Sequence, residues 1–292
     1  MGEGKSGSTI LGVALGNCDG VLYAGELSNW LAQSGTPLLG GSERVRFWKA
    51  VRRDVDGADG LFGSEAYECL ERGLSAFRID RWQRRRGLRP LYRQVTESLY
   101  RSIASNAGVT HIVDTSHLPM RARELQSIDG LELYLIFLVR DVEGVVASHT
   151  RHLKRRQVAK RRLLLVKVNA RLWTKYLMSI VVFLRQTPDR RLLLRHEDFL
   201  ANPRAVLREV LDFADSSAAI PDLSSLSTGI PLEGNPLVRK QVVALKADPA
   251  PALRPSRFMR MAQRGWTVIL DRLQPAATGA RSPEHVAASD SS

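Results

Sequence analysis

The chain has 292 residues, 44% of them hydrophobic, and a formal net charge of +13. Length and apolar content suffice for one large globular domain or two small ones. Two cysteines, Cys18 and Cys69, exclude a disulfide framework and a cysteine-based metal cluster. The charge favours an anionic partner, whether nucleotide, sulfated or phosphorylated substrate, nucleic acid or membrane surface. Arginine outnumbers lysine, so a compositional origin of the charge stays open beside a functional one.

The first patterned stretch is Gly4-Lys5-Ser6-Gly7-Ser8-Thr9, which runs into the apolar segment 10–16. It reads as a glycine-rich turn opening a helix. Gly7 lets the backbone bend sharply and approach a ligand. The first amides of a helix lack intrahelical partners and lie at the positive end of its dipole. With the Lys5 ammonium and the hydroxyls of Ser6, Ser8 and Thr9, this is an anion cradle suited to phosphate. Such a loop normally follows a buried parallel strand. Here Met1, Gly2 and Glu3 precede it, so the expectation is an absent strand or a misassigned chain start. No signal peptide is visible either, and two cysteines fit a reducing cytoplasm.

Residues 21–27 read as a short extended piece, and 34–63 as loop with one short helix at 45–51. Two helical pieces follow over 65–100, carrying the basic run 81–93. Residues 110–114 form a compact strand candidate. Residues 131–139 are nearly all apolar, as a doubly buried parallel strand should be, and end at Arg140-Asp141 before a helix. A basic run at 151–162 leads into an amphipathic helix over 163–184. Lys167, Arg171 and Lys175 line one face of that helix at i, i+4 and i+8, which argues against a membrane span. Residues 191–195 make a strand. Asn202-Pro203 opens a helix, with Asn as cap and Pro in the first turn. Residues 216–235 are loop-like and 257–273 a last amphipathic helix. Strands alternating with helices predict an α/β domain over 1–275, a central parallel sheet between two helical layers. The polar tail 276–292 is expected to be disordered.

In such sheets ligands gather at the carboxyl ends of the strands. Arg140 leaves one of them, and Ser148 follows eight residues later on the next helix. A planar guanidinium and a hydroxyl can grip one phosphate together. Three further segments stand in order: Asp114-Thr115-Ser116-His117-Leu118-Pro119-Met120-Arg121, Arg195-His196-Glu197-Asp198-Phe199 and Gly234-Asn235-Pro236 with Arg239.

This series resembles the sulfotransferases. Residues 5–9 resemble their phosphosulfate loop, Arg140 and Ser148 their 3′-phosphate site, and residues 113–121 a segment that reads D-S-S-K-x-P-x-R in bacterial members. Residues 194–199 resemble their R-Y-E-D-L element, with His196 in place of Tyr, and residues 234–239 their G-N-P-x-R element. The resemblance spans nearly the whole chain. It implies a P-loop-NTPase-like α/β/α fold, its first strand expected to be absent here unless the chain start is misassigned. The implied co-substrate is 3′-phosphoadenosine-5′-phosphosulfate, held by Lys5, Ser6, Gly7, Ser8, Thr9, Arg140, Ser148 and Arg239, with no metal. Lys5 would meet charge on the leaving phosphate. The base would be His117, placed like the catalytic His of the cytosolic animal enzymes, or Glu26, which resembles the glutamate base of tyrosylprotein-type members. The acceptor would be a hydroxyl on a small molecule, glycan or glycolipid, and the basic runs would border it if it is acidic.

Two other readings remain at this point. A truncated P-loop kinase would need an acidic residue at a strand end, and Asp114 or Asp141 would serve. A nucleic-acid binder would account for the charge, but the chain lacks a recognition motif with interleaved aromatics. His111 and His149 read as structural.

Overall fold

The computed structural model describes residues 6–38, 40–63, 65–72, 79–140, 145, 158–245, 268–269 and 272–273. The chain divides into Met1–Ala252 and Leu253–Ser292. Of the second unit only a helical backbone at 268–269 and 272–273 is described. Most of the helix expected at 257–273, and all of the tail 276–292, therefore lie outside the described residues.

Helices and strands alternate through the first unit. Helix α1 (Ser8–Leu15) leads to strand β1 (Val21–Gly25), then helices α2 (Ser28–Ala32), α3 (Ser42–Arg53) and α4 (Trp82–Ala107). Strand β2 (His111–Asp114), helix α5 (Pro119–Leu125) and strand β3 (Leu135–Val139) follow. Then come α6 (Val158–Arg185), β4 (Arg191–Arg195), α7 (His196–Ala201) and α8 (Pro203–Phe213). A two-residue antiparallel pair, β5 (Leu226–Ser227) with β6 (Val242–Val243), closes the described part.

β1 pairs in parallel with β2, from Val21 opposite His111 to Gly25 opposite Asp114. β3 pairs in parallel with β4, from Leu135 opposite Arg191 to Val139 opposite Arg195. The α/β class and the parallel pairing agree with the sequence. The single continuous sheet does not: among the described residues no strand joins the two pairs. Burial reflects this. β1 and β3 each bury four of five residues, whereas all four of β2 are only half-buried.

Two apolar cores flank the strands. One joins Leu11, Val13 and Leu15 of α1 to Leu138, Leu194, Phe199, Leu207 and Leu211. The other joins Leu27, Trp30, Trp48, Leu70, Tyr92, Leu99 and Ile103. The second explains why α3 is longer than expected: Arg44, Trp48 and Val51, at helical spacing, are all buried. β3 starts four residues later than the apolar run because its ladder partner begins at Arg191. Pro203 opens α8 as expected, but the Asn202 side chain makes no capping hydrogen bond; its backbone stands at φ −135°, ψ 65°.

Candidate active site

The glycine loop enters α1 through Gly7, at φ +92° and ψ 6°. That left-handed geometry disfavours a side chain. A Cβ there would also collide with the His196 imidazole. The carbonyl of Gly7 accepts from the amides of Ile10 and Leu11, each at 3.2 Å. The earlier amides of α1, those of Ser8 and Thr9, thus stand at the helix start without an intrahelical acceptor. Ser6 is fully buried and its hydroxyl has no partner among the described residues; His196 Nδ1 is buried in the same condition. Each such atom costs roughly 1–3 kcal/mol unless something binds it.

His196 follows Arg195, the last residue of β4, which lies opposite Val139 at the end of β3. Arg140 is the next residue. Burial, and then the positive charge of Arg140, push His196 down to about 4, so its ring is neutral near pH 7. The loop that packs on His196 and the guanidinium that acts on it therefore share one end of the strands. Lys5 and Ser148 lie outside the described residues.

A second cluster adjoins the loop. The Ser8 hydroxyl is 3.3 Å from His117 Nε2, and the same nitrogen is 3.8 Å from Glu26 Oε1. Burial pushes His117 down to about 3, and Lys175 and Arg171 of α6 add to the effect against the pull of Asp114. Burial also raises Glu26; Glu233 and Asp114 raise it further, and Lys175 opposes them. The cluster thus pairs a neutral imidazole with a carboxylate of enhanced basicity.

Local backbone chemistry aims Glu26 there. Gly25 sits at φ +82°, and a Cβ on it would strike the carbonyl of Glu233. That carbonyl accepts from the Glu26 amide at 3.0 Å, and the Leu232 amide donates to Ala24 at 2.9 Å. The Gly234-Asn235-Pro236 element thus packs over the end of β1, with Asn235 Oδ1 accepting from the Leu237 amide at 3.2 Å. Arg239 ends the short 3₁₀ helix there and is exposed. The Thr9 hydroxyl bonds Tyr23, which burial pushes up to about 12; the Tyr23 and Thr115 hydroxyls are 3.3 Å apart.

Asp114 has a different role. One carboxylate oxygen accepts from the amides of Leu27 (3.3 Å) and Ser116 (2.8 Å) and from the Ser116 hydroxyl (2.5 Å). The other accepts from the Tyr100 hydroxyl (2.7 Å) and Arg121 Nε (3.1 Å). Arg121 also pairs with the fully buried Glu71, which accepts from Tyr92 at 2.8 Å. A carboxylate so engaged is an anchor for β2 rather than the metal ligand a kinase would require. Asp141 lies outside the described residues.

No family model and no curated protein matches the chain. Among solved structures, the sulfotransferase domain from the curacin biosynthetic pathway superposes with a TM-score of 0.53. The match covers 91% of this chain and 95% of that one, at 14% identity. The chain has a sulfotransferase fold. The sulfotransferase domain from the Synechococcus PCC 7002 olefin synthase matches at a TM-score of 0.49 and 18% identity, over 91% of this chain and 92% of that one.

Within this sulfotransferase fold, sequence reasoning overlooked three contributors. His196 was noticeable only as a replacement for Tyr, and its packing on Gly7 needs the tertiary structure. Lys175 and Arg171 carried a signal, cations at helical spacing in an apolar segment, but not a direction. Part of the basic run at 81–93 is engaged within the fold: Arg84 pairs at the surface with Glu65 at 2.6 Å, Arg85 donates to the Cys69 carbonyl at 3.0 Å, and Arg89 pairs with Glu124 at 2.9 Å. His111 lies between Thr110 Oγ1 and the Ala214 carbonyl, each at 2.9 Å. His149 and residues 151–157 are outside the described residues. No described helix is long and apolar enough to cross a membrane.

Proposed function

We propose that this protein is a sulfotransferase using 3′-phosphoadenosine-5′-phosphosulfate as donor and a hydroxyl of a small molecule, glycan or glycolipid as acceptor. The donor supplies a sulfuryl group already activated by its bond to phosphate. The observation that carries the reading is the loop itself. A buried Ser6 hydroxyl and a buried His196 nitrogen, neither with a partner among the described residues, flank a Gly7 that leaves no room for a side chain. Polar atoms in that state suit an anion held at a helix start.

In this reading the amides of Ser8 and Thr9 and the Ser6 hydroxyl hold the phosphosulfate end, with Lys5 meeting charge on the leaving phosphate. Arg140, Ser148 and Arg239 hold the 3′-phosphate end. Glu26 takes the proton from the acceptor hydroxyl as that oxygen bonds to sulfur. Its raised proton affinity suits it to that task better than an imidazole depressed to about 3. His117, between Ser8 and Glu26, positions the carboxylate and the acceptor. The geometry serves in-line transfer by orientation and charge neutralisation.

Thermal unfolding with added nucleotide tests the proposal. Adenosine 3′,5′-bisphosphate at a hundred times its Kd should stabilise the chain by about 2.7 kcal/mol, Mg-ATP should not, and Gly7→Ala should abolish the shift. Stabilisation by Mg-ATP alone would instead favour a kinase. Steeply salt-dependent binding to random DNA, without a nucleotide shift, would favour a nucleic-acid binder.

A further inference from the structure

One side of α6 is apolar where it faces water. Leu177, Val181 and Leu184, spaced i, i+4 and i+7, are 50%, 59% and 49% exposed, while Leu172, Tyr176 and Phe183 on the far side are buried. The three form a stripe about 10 Å long. A single exposed leucine is ordinary; a row of apolar side chains along one helix side is a patch. Exposed Arg171 and Arg185 lie beyond its two ends. In sequence, 151–185 is rich in Lys and Arg and holds none of the chain's 30 Asp and Glu residues. Arg185 also lines an open cavity of about 750 Å³, which reaches Arg93 of α4 and Arg123 of α5. Two other arginines there are neutralised, Arg89 by Glu124 at 2.9 Å and Arg190 by Glu132 at 2.8 Å. Arg93, Arg123 and Arg185 make no ion pair among the described residues, and Asp129 is the one lining acid in the same state. Leu133 and Arg190, just ahead of β3 and β4, line the cavity too, so it lies at the amino ends of these strands, away from Gly7 and His196.

We infer that this side of the molecule docks on a bilayer of anionic phospholipid. α6 lies in the plane of the interface, with Leu177, Val181 and Leu184 below the headgroups. Arg93, Arg123 and Arg185 take headgroup phosphates, which a planar guanidinium can grip with two hydrogen bonds. Charge complementarity selects this occupant. Two copies of the chain meeting here would set Arg185 and its neighbours against one another, with no acid between 151 and 185 to answer them. Area selects it as well. Three side chains fall far short of the roughly 800 Å² per partner that a stable protein interface buries, whereas adsorption to a charged bilayer gains with every cation near the surface. The contact is peripheral, since no described helix is long and apolar enough to cross a membrane. The inference goes beyond the proposed reaction and does not depend on it.

Co-sedimentation of the full chain with vesicles, with no nucleotide present, tests it. The chain should bind phosphatidylserine–phosphatidylcholine vesicles at least tenfold more tightly than vesicles of phosphatidylcholine alone, and added salt should weaken that binding. Leu177→Ser, Val181→Ser and Leu184→Ser together should weaken it at least tenfold, and so should Arg93→Gln, Arg123→Gln and Arg185→Gln together. Should either triple variant fail to fold, Val181→Cys carrying an environment-sensitive fluorophore replaces it. Its emission should rise with the anionic vesicles and stay unchanged with the neutral ones. Absence of binding to anionic vesicles, equal binding to both kinds, full binding by either triple variant, or a fluorophore that stays in water would overturn the proposal. So would a chain that is dimeric in solution and becomes monomeric in the serine variant. Because the readout is vesicle binding, it can fail while the nucleotide test succeeds, and the reverse.

Discussion

Two polar clusters lie only three residues apart in sequence, around Asp114 and around His117, and they are built on opposite rules. In the first, Asp114, Arg121, Glu71, Tyr92 and Tyr100 hydrogen-bond one another in the interior, with Glu71 Oε2 left without a partner among the described residues. Burial alone would raise Asp114, but Arg121 and the hydrogen bonds outweigh it and keep the carboxyl low. In the second, Glu26 and His117 are 3.8 Å apart, and both are held away from their ordinary proton affinities, the acid up and the imidazole down. The first cluster locks the end of β2. The second adjoins that lock, and in the proposed reaction its Glu26 is the group that takes the proton. At Asp114 a cation and hydrogen bonds outweigh the cost of burial, whereas at Glu26 and His117 burial dominates and displaces the proton affinities.

The largest effect should come from breaking the first cluster. Arg121→Ala leaves the carboxylates of Asp114 and Glu71 buried without their cation and should cost about 3–5 kcal/mol of stability, measured by denaturant unfolding. If the clusters differ as described, Glu26→Gln and His117→Ala should do the reverse. Each should keep the fold, while Glu26→Gln lowers turnover by roughly 10²–10⁴-fold in an assay with labelled donor and saturating acceptor. Full activity in both variants would remove the second cluster from the mechanism.

The smallest effects are in the pH dependence of stability. Folded His117 titrates near 3 against an ordinary 6.5. Between those values the unfolded chain takes up a proton that the folded chain refuses, so stability should fall as pH drops from about 6.5 toward 3. The His117 contribution is on the order of a few kcal/mol, and His117→Gln should flatten that acid limb. Glu26 has the opposite sign. Its folded carboxyl holds a proton more tightly than the unfolded one, so its contribution to stability declines as pH rises through its raised value. Glu26→Gln should therefore be slightly more stable than the parent chain at neutral pH, while losing turnover. Thermal unfolding of both variants across pH 3–8 checks the two signs together.

The sequence by itself determined the local features. The glycine at residue 7, the apolar runs that became β3 and β4, the proline that opens α8 and the alternation of strand and helix all follow from backbone sterics and from which residues must leave water. Those constraints act over a few residues and leave their mark in composition and spacing. Tertiary structure alone decided what meets across the chain: His196 against Gly7, Lys175 acting on both Glu26 and His117, and Asp114 engaged as an anchor. Such contacts join residues as far apart as 7 and 196. Burial and charge there depend on packing in three dimensions, which no local pattern of residues encodes.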